Sequence, residues 1–92
     1  MTSGRVVVRI ERKNGRLAGR YEEHHFWPRY LGGGADGPTY RLPAPYHQLL
    51  TNAFRARWAY GRHTPTPEEA RQIMMKVYAE LPIPQLIGIP DP

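Results

Sequence analysis

The sequence predicts a small α+β domain made of a β-hairpin, a long loop and two helices. Three observations lead to this prediction: an Asn-Gly turn between two strand-like segments near the start, a proline- and glycine-rich stretch over 22–45, and two later segments with helical apolar spacing. At 92 residues the chain has the length of one domain. We therefore expect a single domain over 1–92, with a core of about 16–60 and a C-terminal helix of about 66–81.

The β-hairpin is predicted over about 5–12 and 16–22. The first of these segments is rich in valine and isoleucine, which favour strands. Asn14 and Gly15 lie between the two segments, and Asn-Gly is the pair that tolerates the two positive φ angles of a type I′ hairpin turn.

The stretch from 22 to 45 is predicted to be a loop, with a short extended piece over 39–42. Loops of this length in compact domains are usually functional or disordered. The glycines at 32–34 have no Lys-Ser/Thr after them, as a phosphate-binding loop would, so we interpret them as a flexible bend.

The first helix is predicted over 46–60, where apolar residues recur every three or four positions, and Gly61 is expected to end it. In the second helix, Thr66 is the expected N-cap and Glu69 completes a capping box. Apolar side chains at helical spacing form its buried face: Ala70, Ile73, Met74, Val77, Tyr78 and Leu81.

Composition restricts the function classes. Cysteine is absent, which excludes disulfides and cysteine-ligated metal sites. No apolar run approaches the ~18–20 residues of a membrane-spanning helix, so we expect no membrane among the partners of the chain. The net charge is +5, and eleven of the thirteen cations are arginines. Residues 1–62 carry a net +7 and residues 63–92 a net −2. Arginine matches phosphate geometry, which favours a polyanionic partner, but ordinary surface solubility explains the charge equally well.

Four histidines occur in the chain, and His24 and His25 are adjacent. Neighbouring side chains on an extended backbone point to opposite sides, so one imidazole can bind a metal while the next acts as a general base. His47, near the start of the first helix, can approach the same point if that helix packs across the hairpin. The alternatives are a solvated surface pair and a helix-capping role for His47. His63 lies too far along the chain from the start of that helix, and we leave it out of the site.

Two segments in the expected order resemble the HNH/endonuclease VII (ββα-metal) superfamily, most of all the toxin domains at the C-termini of bacterial polymorphic toxins. They are HHFWPRYLGG at 24–33 and LPAPYH at 42–47. The resemblance covers about 20–58. It implies a ββα-metal core formed by the hairpin, the loop and the first helix, with the C-terminal helix added.

The resemblance also implies the site chemistry. His24 and His47 are the implied ligands of a divalent metal ion, Mg²⁺ or Zn²⁺, and His25 is the implied general base. A second histidine expected four residues after the helix histidine is replaced by Thr51, so Glu23, Thr51 and Asn52 are auxiliary candidates; Asn52 is about 140° around the helix from His47. The candidates for holding the phosphate backbone are Arg20, Arg29, Arg41 and Arg55.

We therefore expect a metal-dependent endonuclease that hydrolyses DNA and acts as an antibacterial toxin domain. The family implies a cognate immunity protein as partner, and delivery from a bacterial producer cell into the cytoplasm of a target cell. An RNA-cleaving toxin of the same fold, a non-catalytic nucleic-acid-binding module, and a protein-interaction domain that docks through its acidic last third remain open.

Aromatic side chains allow two interpretations. Trp27, Phe54, Trp58 and Tyr60 can stack on nucleobases or fill the core. Because a small domain needs its large aromatic residues for packing, core positions are favoured for Phe54 and Trp58.

Overall fold

The computed structural model describes residues 19–88. They form an α+β domain with two helices, as the sequence predicts, and one two-stranded antiparallel sheet whose strand pairing was not predicted. The elements in chain order are strand β1 (Tyr21–His25), a 3-10 turn (Arg29–Leu31), strand β2 (Thr39–Pro43), helix α1 (Ala44–Arg57), helix α2 (Pro67–Glu80) and a second 3-10 turn (Pro84–Ile87).

The sheet pairs β1 with β2, with His24 opposite Tyr40 and His25 opposite Thr39. The predicted hairpin over 5–12 and 16–22 lies mostly outside the described residues, and its last two positions begin β1. The short extended piece predicted over 39–42 is confirmed, since it lies within β2. The loop prediction was wrong at 22–25, which form most of β1, and at 44–45, which begin α1. The segment over 39–42 has strand-forming residues, and its pairing partner was not visible in the local pattern.

The connection between the strands is a close-packed turn. Leu31 is fully buried, and the Trp27 Nε1–H donates to its carbonyl oxygen at 2.9 Å. Gly32 has a φ of +99°, and a Cβ on Gly33 would lie 1.9 Å from the Trp27 carbonyl oxygen. The first two glycines of 32–34 are therefore required by backbone geometry and contact, which corrects their interpretation as a flexible bend.

Helix α1 ends at Arg57, three residues before the predicted end. Trp58 leaves the helix with an extended backbone, and its Nε1–H donates to the carbonyl oxygen of His63 at 2.9 Å. Packing of this indole into the core ends the helix, and Gly61, with a φ of +90°, lies in the following turn.

The predicted start of α2 is confirmed. Thr66 is the N-cap, its hydroxyl accepts from the Glu69 N–H at 3.1 Å, and the Glu69 carboxylate accepts from the Thr66 N–H at 2.9 Å. The carboxylate also complements the positive end of the helix dipole, and its hydrogen bonds hold the pKa of Glu69 below its usual range.

The core lies where the sheet and both helices meet. Phe54 and Trp58 belong to it, as the sequence favours, and no helix within residues 19–88 is long and apolar enough to cross a membrane. Each large apolar side chain buried there contributes about 1.5–3 kcal/mol of transfer free energy. The buried cluster consists of Leu31, Leu42, Tyr46, Leu50, Phe54, Trp58, Ala70, Met74, Val77 and Ile83.

Candidate functional site

A cavity of about 300 Å³ lies between β1, the inter-strand turn and α1. Three histidines line it together: the adjacent His24 and His25, and His47, which is distant from them in the sequence. Two cations and two tyrosines complete most of its polar lining: Arg29, Arg55, Tyr30 and Tyr60. The structure thus brings the histidines of the two motif segments to one place.

His24 and His47 face each other closely. Their ring centres are 5.2 Å apart and their planes cross at 69°. His24 is at a buried position of β1 with 5% of its surface exposed, and His47 is in the first turns of α1, which packs on the sheet. The strand and the helix therefore position one imidazole each.

The tautomer of His24 follows from counting donors. The Tyr78 hydroxyl lies 2.7 Å from His24 Nε2 and also donates to the carbonyl oxygen of Phe26. A hydroxyl has one proton and a carbonyl can only accept, so the Tyr78 proton points to Phe26 and His24 Nε2–H donates to the Tyr78 oxygen. His24 Nδ1 therefore keeps its lone pair.

Burial keeps His24 neutral. Loss of hydration, together with the nearby imidazoles of His47 and His25, lowers the pKa of His24 from 6.5 to about 4. Burial also raises the pKa of Tyr78, which keeps its hydroxyl protonated. At neutral pH the pair is thus a neutral imidazole hydrogen-bonded to a neutral phenol.

His47 has a carboxylate partner. Its Nδ1 lies 2.7 Å from Glu22 Oε1, and because an ionised carboxylate only accepts, Nδ1 carries the hydrogen. In the neutral ring the lone pair is then on Nε2. Glu22 is two residues before His24, so both point to the same side of β1.

His25 is the last residue of β1 and is half-buried. It lines the same cavity as the other two imidazoles. A base that must reach water and a substrate needs this partial exposure, which the buried His24 lacks.

The predicted phosphate-holding arginines fall into two groups. Arg29 and Arg55 are exposed and line the cavity. Arg20 and Arg41 are also exposed but do not line it, and the Arg41 guanidinium lies 4.3 Å from the ring centre of Tyr21. Only the first pair is placed beside the histidines.

Two of the three auxiliary candidates lie at the cavity and the third does not. Glu23 and Thr51 line the cavity, and the Glu23 carboxylate accepts a hydrogen bond from the Thr39 hydroxyl at 3.3 Å. Asn52 does not line it; its side-chain oxygen accepts from Gln48 at 3.1 Å. Its position agrees with the angle around the helix predicted from the sequence.

The ring-centre distance between His24 and His47 is compatible with two imidazoles binding one cation. Among residues 19–88 no group of three or more His, Cys, Asp or Glu side chains is arranged to hold a metal ion. An imidazole nitrogen is about 1.1 Å from its ring centre and about 2.1 Å from a bound zinc ion, so two imidazoles at a tetrahedral angle have centres about 5 Å apart. The separation of His24 and His47 matches this value. In its neutral form each ring keeps one lone pair to which no side chain or backbone group within residues 19–88 donates a hydrogen bond.

Two residues that contact the histidines, Tyr78 and Glu22, were not predicted from the sequence as site residues. Tyr78 was assigned to the apolar face of α2, and nothing in the local pattern indicates that its hydroxyl reaches His24. Glu22 carried a usable signal, because its two-residue spacing from His24 places both on one side of a strand.

Comparison of the chain with protein-family models, with curated proteins and with solved structures gives no match.

Proposed function

We propose that this domain is a metal-dependent endonuclease that hydrolyses the phosphodiester bonds of DNA. The observation that carries the proposal is the convergence of His24 and His47, with ring centres 5.2 Å apart, in a cavity that His25 also lines. Each of the two rings has one nitrogen hydrogen-bonded to a side chain and a second nitrogen with no hydrogen-bond partner among the described residues, which is the usual arrangement of metal-binding histidines.

His24 and His47 would hold the divalent ion through these free nitrogens. Imidazole donors suit Zn²⁺ or another transition metal better than Mg²⁺, which prefers oxygen ligands. When bound, the ion would supply Lewis-acid stabilisation of the charge that develops on the phosphate and on the departing 3′ oxygen.

His25 is the proposed general base. Its imidazole takes a proton from a water molecule as the water oxygen forms a bond to phosphorus and the bond from phosphorus to the 3′ oxygen breaks. Arg29 and Arg55 hold the phosphate by charge-assisted hydrogen bonds to its non-bridging oxygens. Tyr78 and Glu22 are positioning residues, because they act on the substrate only through the two imidazoles.

The order β1, β2, α1 supports the finer fold proposal, a ββα-metal core with α2 added to it. The first strand of this core provides the histidine pair and the helix provides His47. From the resemblance we further propose that the domain is an antibacterial toxin, neutralised by an immunity protein and delivered into a target cell. A basic active-site face would attract an acidic inhibitor.

Plasmid cleavage tests this proposal. Purified protein is incubated with supercoiled plasmid in Mg²⁺, Mn²⁺ or Zn²⁺, or in chelator, and nicking is followed on gels. We expect cleavage with at least one metal and a loss of about 100-fold or more in His25→Ala, because a general base contributes that much. His63→Ala is the matched control, since His63 is exposed and does not line the cavity. Undiminished cleavage by His25→Ala, or none by the wild type with any metal, would overturn the proposal.

A second candidate is a non-catalytic nucleic-acid-binding module. The exposed Tyr60 and Arg55 at the cavity favour it, because they can bind nucleic acid without any metal. Binding that persists in chelator, with neither DNA nor RNA cut in any metal, would identify this function. Cleavage of RNA alone would instead indicate an RNA-cleaving toxin.

A further inference from the structure

Tyr60 is a large aromatic side chain left at the surface. It is 68% exposed, whereas Phe54 and Trp58, the other two aromatic residues of this part of the chain, are 2% and 7% exposed. Tyr60 nevertheless lines the cavity that holds the histidines. Its ring is therefore available to a ligand of that cavity.

A tight turn holds Tyr60 in place. The Arg62 N–H donates to the Ala59 carbonyl oxygen at 3.2 Å, and Gly61 has a φ of +90° at the third position, which is the pattern of a type II turn. The turn thus fixes the backbone from which the Tyr60 side chain extends, and the ring itself is open to solvent.

The neighbours of Tyr60 are an arginine and a second tyrosine. The Arg55 guanidinium lies 4.9 Å from the Tyr60 ring centre, and the Tyr30 ring centre lies 5.6 Å from it at a tilt of 41°. Tyr30 is itself fixed, because its hydroxyl donates to the Trp58 carbonyl oxygen at 2.9 Å. Two rings and a planar cation therefore lie together at the cavity.

This combination matches the chemistry of an unpaired nucleotide. Bases stack on aromatic rings and on arginine, and a nearby guanidinium binds phosphate. In a continuous duplex both faces of each base are already stacked on neighbours, so a surface ring cannot reach them. A single strand, or an unpaired end or bulge, presents a free base face.

We propose that Tyr60, Tyr30 and Arg55 form a stacking platform for an unpaired nucleobase, so that the site takes single-stranded nucleic acid or a single-stranded segment of a duplex. This inference rests on the proposed function, because it requires a nucleic-acid backbone in the histidine cavity. Arg29, which also lines that cavity, would hold an adjacent phosphate. The stacking chemistry is common to DNA and RNA, and the test below separates them.

The test is fluorescence anisotropy in chelator, where metal-dependent cleavage is stopped. Labelled single-stranded DNA, single-stranded RNA and duplex DNA of one sequence are titrated with the full chain and its variants. Tyr60→Ala is expected to weaken binding of the single strands by about 5- to 150-fold, the effect of losing one stacked base. Tyr60→Phe keeps the ring and is expected to bind within about twofold of the wild type.

Tyr21→Ala is the matched control. Tyr21 is also an exposed tyrosine beside an arginine, but it does not line the cavity, so its loss is expected to leave single-strand binding unchanged. Duplex binding is expected to be weaker and to be unaffected by Tyr60→Ala. A loss confined to RNA or to DNA supports the platform and identifies which strand it holds.

Equal affinity of the wild type and Tyr60→Ala for single strands would overturn the platform. An equal loss of affinity for duplex and for single strands in Tyr60→Ala would also overturn it. Plasmid cleavage in metal is measured separately on the same proteins. Tyr60-dependent binding without cleavage would retain the platform and reject the nuclease. Cleavage with Tyr60-independent binding would retain the nuclease and reject the platform.

Discussion

Acidification is expected to destabilise the domain through His24. The folded state holds this imidazole buried and neutral, with its Nε2–H donated to the Tyr78 oxygen. The pKa of His24 is about 4 in the folded chain, against 6.5 when the side chain is solvated. Between these two pH values the unfolded chain binds a proton at this residue that the folded chain does not, so the free energy of unfolding falls as the pH falls.

The magnitude follows from the two pKa values. Linkage gives a loss of about 2 kcal/mol in the free energy of unfolding between pH 7 and pH 5, and about 3 kcal/mol in total below pH 4. Above pH 7 the residue contributes no pH dependence of this kind, because it is neutral in both states.

Urea unfolding at a series of pH values, in chelator, measures this effect. His24→Gln keeps an N–H that can donate to Tyr78 but does not titrate. Between pH 7 and pH 5 the free energy of unfolding of this variant is therefore expected to fall by about 2 kcal/mol less than that of the wild type. His63→Gln removes an exposed imidazole and is expected to keep the wild-type pH profile. If His24→Gln and the wild type show the same pH dependence of stability, the conclusion that His24 is buried in its neutral form is wrong.

Two further variants test the framework of the site. Gly33→Ala is expected to lower the free energy of unfolding by about 1–3 kcal/mol in a denaturation experiment, because its Cβ would lie 1.9 Å from the Trp27 carbonyl oxygen. Gly34→Ala is its control, with no atom within 4 Å of the added carbon, and equal stability of the two variants would contradict the close packing. Tyr78→Phe and Tyr46→Phe each remove a buried hydroxyl that donates to a carbonyl, and each is expected to cost about 1–3 kcal/mol. Only Tyr78→Phe is expected to weaken Zn²⁺ binding, by about tenfold when measured by calorimetry. If both variants change the zinc affinity equally, Tyr78 has no positioning role.

Local signals predicted the helices better than the sheet. The start of α2 depends on Thr66 and Glu69, which are three residues apart and contact each other directly, so the sequence contains the whole interaction. The pairing of β1 with β2 joins His25 to Thr39 across fourteen positions, and no residue near either strand specifies that partner. The end of α1 was misplaced for the same reason, because Trp58 leaves the helix to pack with distant parts of the core.

The site shows the same division. The adjacency of His24 and His25 and the position of His47 at a helix start are local patterns, and they led to the three imidazoles that line the cavity. Tyr78 is 54 residues from His24, and its hydroxyl contact arises only when α2 packs against the sheet. The residues proposed to bind substrate or metal lie in local sequence motifs, whereas Tyr78, the residue proposed to orient His24, comes into contact with it only through tertiary structure.

The central claim is that His24 and His47 hold one divalent ion between them. Calorimetric titration of the metal-free protein with Zn²⁺ tests it most directly, using the wild type, His47→Ala and His63→Ala. We predict one ion per chain, a loss of affinity of at least about tenfold in His47→Ala, and wild-type affinity in His63→Ala. Zinc affinity unchanged in His47→Ala, or no zinc binding by the wild type, would contradict the claim.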